Sequence, residues 1–400
     1  MRTALEILFW LSCGLIVWTQ AGYAAALACL ARVLRPAGAT ARQRRQRSPE
    51  GGALKKSSLP ASLPDLSLIV AAHDEQAVIA ARVANALGLD YPRERLQVIV
   101  ACDGCTDATG ARASDAGADL VLELPRGGKI RAQDAAVRQA RGEIVAFSDA
   151  NALWEPDAAR ALVSAFEDPR VGYACGQVRF VQAAAGGGNQ EGVYWRYELA
   201  VRALESRLSS ITAGNGAIYA TRRETYIEVD PIMGHDLSLP FNTVKRGLRA
   251  VYVPEARASE KMVPSLGGEF ARKRRMMSHT WPILLRGGML SPRGYPAGYA
   301  LMILSHRLLR YATPALHVLA LAANVALVAS TSGGAQALYV VTLALQLALL
   351  LAAALAGLLP IRPLLIARYY VLTTSSLAAG LWDWLRHGTD ATWAAAEGTR

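Results

Sequence analysis

Three aspartates close short apolar runs in this chain. Asp103 sits in Ala-Cys-Asp-Gly-Cys-Thr-Asp, Asp149 in Phe-Ser-Asp-Ala-Asn, and Asp236 in Gly-His-Asp-Leu-Ser-Leu-Pro. A lone aspartate in such a place is ordinarily a helix N-cap, and Asp236 in particular precedes a helical pattern. Capping explains the joint pattern less well, because the three recur with Lys129 in Gly-Gly-Lys and with the downstream run Arg272-Lys-Arg-Arg275. Carboxylate oxygens suit a hard divalent cation, a carboxylate can accept a proton, and lysine and arginine suit an anionic ligand.

The elements that position these residues read as alternating strands and helices. Strands are expected at 66–71, 96–101, 119–124, 143–147 and 171–181. Helices are expected at 73–87, 106–116 and 133–140. Short continuous apolar strands alternating with helices predict a parallel sheet covered on both faces. Such sheets bind ligands at the carboxyl ends of their strands, where His73, Asp103 and Asp149 fall. Further helices are expected at 191–212, 236–247 and 272–285, with a small-residue turn and short strand at 214–221 and a strand at 250–253.

The chain has 400 residues, 52% hydrophobic and only 19% charged, with a net charge of +11. Residues 7–31 and 311–361 carry no charge, and each run exceeds the roughly 20 apolar residues that cross a bilayer. These runs exclude a simple cytosolic protein, and the globular sequence at 64–285 excludes a pure membrane bundle. The first run is too long for a signal-peptide apolar region of about 7–15 residues, so it reads as a retained helix. The basic stretch 35–56 follows it and reads as a positive-inside flank, with no nucleic-acid role because no aromatic interrupts it. It orients residues 35 onward to the cytoplasm. The predicted organisation is an N-terminal membrane helix (1–34), a basic cytoplasmic linker (35–63), a catalytic domain (64–290), an interfacial helix (291–312), a membrane region of two or three spans (313–386) and a tail (387–400). Five cysteines, two of them in the first helix, read as reduced thiols. The Cys102/Cys105 spacing is redox-like, but one such pair is weak evidence for that role.

Five motifs in order make the chain resemble a membrane-integrated family 2 glycosyltransferase, related to cellulose, hyaluronan and poly-N-acetylglucosamine synthases. They are LSLIVAAHDEQAVI (66–79), VIVACDGCTDAT (98–109), GGKIRAQDAAVRQARGEIVAFSDAN (127–151), AGNGAIYATRR (213–223) and the segment 235–253. The resemblance implies an α/β, GT-A type Rossmann-like nucleotide-sugar-binding domain and inverting transfer from a nucleotide-sugar, taken here as a UDP-sugar, to a lipid-linked or glycan acceptor. It implies Mg²⁺ or Mn²⁺ at Asp149, with Asn151 as the second ligand where the family often has aspartate. Ala72, His73, Glu75, Asp103, Lys129, Ser148, Asp149 and Arg275 would hold the donor. Lys129 and Arg275 would contact its diphosphate, Asp103 would accept from the uracil ring and His73 would stack on it, although His73 reads equally as a plain loop residue. Asp236 would be the general base. Gly214, Asn215, His235, Arg272 and Met276 would face the acceptor, and His235 also reads as a helix cap. The expected location is the inner (cytoplasmic) membrane, multi-pass, among membrane lipids and with polysaccharide-assembly partners.

The chain departs from the family at its last motif. Polymer synthases carry Gln-x-x-Arg-Trp, and the aligned residues here are Arg272-Lys-Arg-Arg275-Met276. Met276 lacks the ring face on which a sugar stacks, and Trp281 is rotated by about 140° on a helix. Transfer of one or a few sugars therefore fits better than long-chain synthesis. Three other classes compete with this reading. A nucleotidyltransferase wants a glycine-rich phosphate loop after the first strand, which here leads into Ala-Ala-His-Asp-Glu. A transporter wants ionisable residues in its spans, and the two uncharged runs hold only His317. A catalytically degenerate membrane scaffold of the same fold draws on Asn151, His235 and Met276.

Overall fold

The computed structural model describes residues 1–34, 63–181, 190–261 and 266–391. The basic linker apart from Leu63, residues 182–189 and 262–265 and the tail from 392 lie outside the described residues.

The centre is one eight-stranded sheet in the order β3-β2-β1-β4-β7-β6-β8-β5. Its strands are β1 (Leu66–Ala72), β2 (Leu96–Asp103), β3 (Leu120–Leu124), β4 (Ile144–Asp149), β5 (Leu153–Trp154), β6 (Val171–Val181), β7 (Tyr219–Arg222) and β8 (Arg249–Lys261). β1 to β4 run parallel, as their alternation with helices predicts. The other half is mixed: β7 is antiparallel to both β4 and β6, and β5 is antiparallel to β8. The all-parallel expectation fails there because the connection through helix Gln190–Leu208 returns β7 antiparallel, between β4 and β6. β8 also runs eight residues past the expected 253, pairing along β6 to Lys261.

β1 is buried along its whole length, and its side chains alternate between two cores. Leu68 joins Val98, Ala146, Trp154, Leu162 and Phe166 on one face. Ile69 joins Ile99, Phe147, Tyr173 and Tyr219 on the other, in a cluster that continues through Tyr23, Trp281, Tyr299 and Trp384. Each fully buried aliphatic or aromatic side chain contributes roughly 1.5–3 kcal/mol. The second core therefore joins the sheet to the long apolar helices as one packed body.

Among the described residues, four helical stretches are long and apolar enough to cross a membrane: Arg2–Val33, Ala297–Ser330, Gly333–Leu355 and Arg362–His387. The region expected as an interfacial helix does not end before the next span. Helix Ala297–Met302 continues through a π segment (Ile303–Leu308) into helix Leu309–Ser330. The first span is also interrupted by a π segment, Trp18–Gly22. The two irregular turns meet, and Thr19 Oγ1 donates to the Ser305 carbonyl at 3.3 Å.

Beside that crossing lies a buried ionic knot. Glu205, at the end of helix Gln190–Leu208, is 0% exposed. Its carboxylate accepts from Tyr23 Oη at 2.7 Å and from the Thr212 amide at 3.0 Å, and pairs with His306 Nδ1 at 2.7 Å. Arg307 donates to Thr212 Oγ1 at 2.8 Å, and Arg310 pairs with Glu198. Burial alone would raise the Glu205 carboxyl, but His306 and Arg307 outweigh it and hold it below its usual range. Glu198 is held well below in the same way by Arg310 and His306.

Removing one member of such a knot strands its partners in a dry site, which costs about 3–5 kcal/mol. Glu205→Ala is therefore expected to lower the thermal unfolding midpoint in detergent by a large margin, while an exposed change such as Arg179→Ala leaves it near wild type. Both carboxyls are depressed in the fold, so their contribution is complete above the ordinary carboxylate pKa of about 4.3. It is lost as pH falls below that value toward the folded pKa. Stability should fall with acid in wild type, and less steeply in Glu205→Gln; identical acid limbs in the two proteins would contradict this assignment.

Candidate active site

Strand register brings the candidate residues to one edge. Ala71 is level with Asp149 across β1 and β4, and Ala72 with Cys102 across β1 and β2. Asp103 and Asp149 therefore lie at the carboxyl ends of β2 and β4, on either side of β1.

Asp103 is 1% exposed, and its carboxylate is already engaged. Gly127 donates to Oδ1 at 2.6 Å, Gly128 to Oδ1 and Oδ2 at 3.0 Å, and Arg126 Nη1 to Oδ2 at 3.2 Å. Its carbonyl accepts from His73 Nδ1 at 2.8 Å. Asp103, expected at the base of the donor, thus anchors the loop that starts helix Lys129–Gln139. Gly128 there has φ 98, and its Cα packs against the backbone of Ala391, so a side chain fits neither the backbone nor the space.

That loop delivers Lys129 to Asp149. The Lys129 ammonium pairs with Asp149 Oδ1. A Cβ on Gly216 would lie 3.3 Å from Lys129 Nζ and 3.6 Å from Asp149 Oδ2, so the small-residue turn at 213–217 is what lets the backbone approach. Burial alone would lower the Lys129 pKa, but Asp149, Asp236 and Glu260 outweigh it and raise it. Glu260, on β8, is pushed up to about 7 by burial and then by Asp149, against Lys129 and Arg272. No sequence signal separates Glu260 from the other polar residues of β8; the pairing of β8 with β6 brings it to this edge.

Asp236 lies in the first turn of helix His235–Lys245. Its carboxyl is raised by burial, which outweighs Lys129. The helix contains Pro240, which has no N–H to offer the carbonyl four residues back. That carbonyl belongs to Asp236, and it accepts instead from the Gly214 amide at 2.7 Å. The proline thus ties the 213–217 turn to Asp236.

Several sequence candidates are buried. Ala72 and Ser148 are 0% exposed. The Ser148 hydroxyl accepts from Arg82 Nε at 3.1 Å and donates to the Asp149 carbonyl at 3.0 Å. Burial lowers the Arg82 guanidinium to about 9, against Asp149, so it puts a charge beneath the strand end. Glu75 is buried, with its amide bonded to Thr109 Oγ1 at 2.7 Å. Asn215 is also buried. It donates to the Gly176 carbonyl at 2.8 Å and accepts from the Ala217 and Ile218 amides, so it holds the turn's shape from inside.

His235 does not cap its helix; the N-cap is Gly234 and no side chain caps it. Its ring is buried, with Nδ1 on Tyr219 Oη at 2.8 Å and Nε2 on Tyr226 Oη at 3.2 Å. Burial, and then the Lys129 charge, lower it to about 3, so it stays neutral. Tyr226 also donates to Asp134 at 2.5 Å, and burial raises that carboxyl to about 6.

The basic helix Leu266–Leu285 divides its cations. Lys273 bonds Tyr369 at 2.7 Å, and Arg274 holds Asp383 with two bonds of 2.6 Å. Arg272 is the arginine whose charge bears on Glu260, and its Nη1 lies 3.6 Å from Met276 Sδ. Arg275 is exposed. Met276 is 42% exposed, whereas Trp281 is core, with its indole N–H on the Leu377 carbonyl at 3.1 Å. His73, Lys129, Asn151, Asp149, Asp236, Arg272, Arg275 and Met276 are all at least partly exposed.

The donor set fits a hard divalent cation. Three carboxylates bear on a single lysine, and Asp149, after burial, raises Glu260. Oxygen-only ligands of this kind suit Mg²⁺ or Mn²⁺.

Comparison with known proteins agrees with this architecture. Residues 64–278 match the family model described as "Glycosyltransferase like family 2". An N-acetylglucosaminyltransferase of Mesorhizobium japonicum is 26% identical over 236 residues, which are 52% of this chain and 54% of the relative. A beta-monoglucosyldiacylglycerol synthase of Nostoc sp. is 34% identical over 118 residues, 28% of this chain and 25% of the relative. The matches thus span about a quarter to about half of these relatives. Among solved structures, the mannosyltransferase PcManGT from Pyrobaculum calidifontis, in complex with GDP-Man and Mn²⁺, has a TM-score of 0.67 at 24% identity, over 95% of this chain and 99% of that one. The mixed sheet with its surrounding helices is therefore of the GT-A type, and with more than half of its length matching the family model, the chain belongs to glycosyltransferase family 2.

Proposed function

We propose that the protein transfers a sugar from a nucleotide-sugar, a UDP-sugar, to a lipid-linked or polysaccharide acceptor at the cytoplasmic face of the inner membrane. The stereochemical outcome is inversion at the anomeric carbon. The observation that carries this reading is the gathering of Asp149, Asp236 and Glu260 about Lys129 at the carboxyl edge of the sheet. Support also comes from the names of the curated relatives and from the four apolar helices.

Asp236 is the general base. Its raised carboxyl makes it a better proton acceptor than an exposed aspartate. The acceptor hydroxyl gives it a proton as the oxygen bonds to the anomeric carbon. The bond from that carbon to the diphosphate breaks, and the nucleotide leaves with the electron pair. A Mg²⁺ or Mn²⁺ held by Asp149 and Asn151 would neutralise charge on the departing diphosphate. Lys129 adds its own charge to the same group, with Arg275 and Arg272 from the basic helix. Asp103 positions Lys129 through the 126–128 loop. Met276, in place of a sugar-stacking ring, favours one or a few transfers over a long processive chain.

The competing reading is a degenerate scaffold within a polysaccharide-assembly complex. It rests on Lys129 occupying Asp149 and on Asn151 in the second metal position. UDP release with a panel of UDP-sugars and lipid acceptors separates the two, and no release from any pair would overturn the enzyme reading. Asp236→Asn is expected to lower kcat by about 10²–10⁴-fold with donor affinity unchanged. Asp149→Ala should abolish Mn²⁺-dependent UDP binding by calorimetry while the circular dichroism stays native; unchanged affinity would refute the site. Only the ionised form of Asp236 accepts a proton, and burial raises its pKa. The rate should therefore rise with pH over a range above that of ordinary carboxylates, and the residual activity of Asp236→Asn should lack that limb.

A further inference from the structure

The loop after β1 and the loop after β2 bring together three chemically different ligands that the proposed reaction leaves unused or uses only in part. A ring nitrogen of His73, a carboxylate oxygen of Asp74 and Sγ of Cys105 all lie within 4.8 Å of one another. We propose that His73, Asp74 and Cys105 bind a thiophilic divalent cation of the zinc class, and that this cation and the nucleotide-sugar exclude one another. The first half stands on the cluster alone; the second rests on the donor reading above.

The ligand types favour zinc over the cation proposed at Asp149. Sulfur and imidazole select borderline-soft metals, whereas carboxylates alone select Mg²⁺ or Mn²⁺. Ligands on one tetrahedral zinc lie about 3.3–3.8 Å apart, given bonds of about 2.0–2.3 Å. The cluster therefore needs side-chain movement of only about 1 Å. All three residues are partly exposed, so an ion can reach them. Three protein ligands leave a fourth position open, as in sites where zinc exchanges its outer ligand.

The surroundings orient these ligands. His73 Nδ1 is 2.8 Å from the Asp103 carbonyl and so carries the proton, which leaves Nε2 as the basic nitrogen. Nε2 is 3.6 Å from Asp74 Oδ2. Thr106 holds the Asp74 carboxylate through its amide at 2.7 Å and its hydroxyl at 3.2 Å. Asp74 is the one non-glycine residue with positive φ among the described residues, at 50°, a conformation that L-residues adopt at a cost. The Cys105 thiol donates to the Ala72 carbonyl at 3.6 Å.

The link to the donor runs through Asp103. Its carbonyl fixes His73, and its carboxylate fixes Gly127 and Gly128 ahead of Lys129. An ion on His73 would sit on the residue expected from the sequence to stack on the base, and Asp103 connects that residue to the loop that presents Lys129.

The test uses the full chain in detergent, metal-depleted and kept in a phosphine reductant. Titration with Co²⁺ should produce a thiolate-to-cobalt charge-transfer band in wild type. Cys105→Ser should lose that band and keep its Mn²⁺-supported transfer rate. Zn²⁺ should inhibit wild type in competition with the donor, and inhibit Cys105→Ser at least about tenfold more weakly, the scale on which a lost metal contact is felt. No band in wild type, or the same band in Cys105→Ser, would overturn the site. A band that persists under saturating UDP would overturn the exclusion. Calorimetry of UDP with the zinc-free protein in Mn²⁺ tests the donor reading separately, so its failure is not confused with failure of the cobalt site.

Discussion

The buried carboxylate of Glu205 is the constraint on which the placement of everything else depends. It takes bonds from the first apolar helix through Tyr23, from the segment leading to the site through Thr212, and from the third-last helix through His306. A buried ion pair adds little net stability, because desolvation offsets attraction. Its importance lies in what any other arrangement would leave unpaired. Two π segments, Trp18–Gly22 and Ile303–Leu308, meet beside it. An extra residue in a helical turn rotates the side chains that follow, and here His306 and Arg307 lie within such a turn.

From that knot the chain leads directly to the site. Ile211 is tied to Tyr299, whose hydroxyl donates to its carbonyl at 3.0 Å. Three residues later Gly214 donates to Asp236, and Gly216 packs beside Lys129 and Asp149. The apolar helices and the carboxylate cluster are thus connected through residues 211–216. Pro240 completes the connection by withholding the N–H that would otherwise satisfy Asp236 within its own helix. Pro282 does the same for Ser278, whose carbonyl accepts from Thr389 at 2.7 Å. In both helices the proline's missing donor becomes a docking point for another part of the chain.

The cluster itself shows how one environment treats like groups differently. Lys129 holds its proton more tightly because three carboxylates bear on it, Glu260 is raised to about 7, and His235 behind them is driven to about 3. The polar groups at the sheet edge divide as well. Asp149 closes β4, whereas the mixed sulfur, nitrogen and oxygen set of His73, Asp74 and Cys105 lies between the loops after β1 and β2.

The alternation of apolar strands and helices was legible in the sequence, as were the strand-end positions of Asp103 and Asp149 and the uncharged runs. Each is a local property, because a strand pattern or an uncharged stretch is read within a few neighbouring residues. The direction of β7, the arrival of Glu260 and the tie between Pro240 and Gly214 were not legible. They depend on which distant segments pair, and no window of sequence contains both partners. The same limit explains the candidates that turned inward. Ser148, Asn215 and His235 are polar residues next to the motif, but which way a side chain points depends on what packs against it: Arg82, Gly176, and the Tyr219–Tyr226 pair. The sequence by itself determined the family-like order of motifs and the chemistry each could carry. Only the tertiary structure decided which of those groups face the site and which support it, because burial and pairing across the sheet set both orientation and charge.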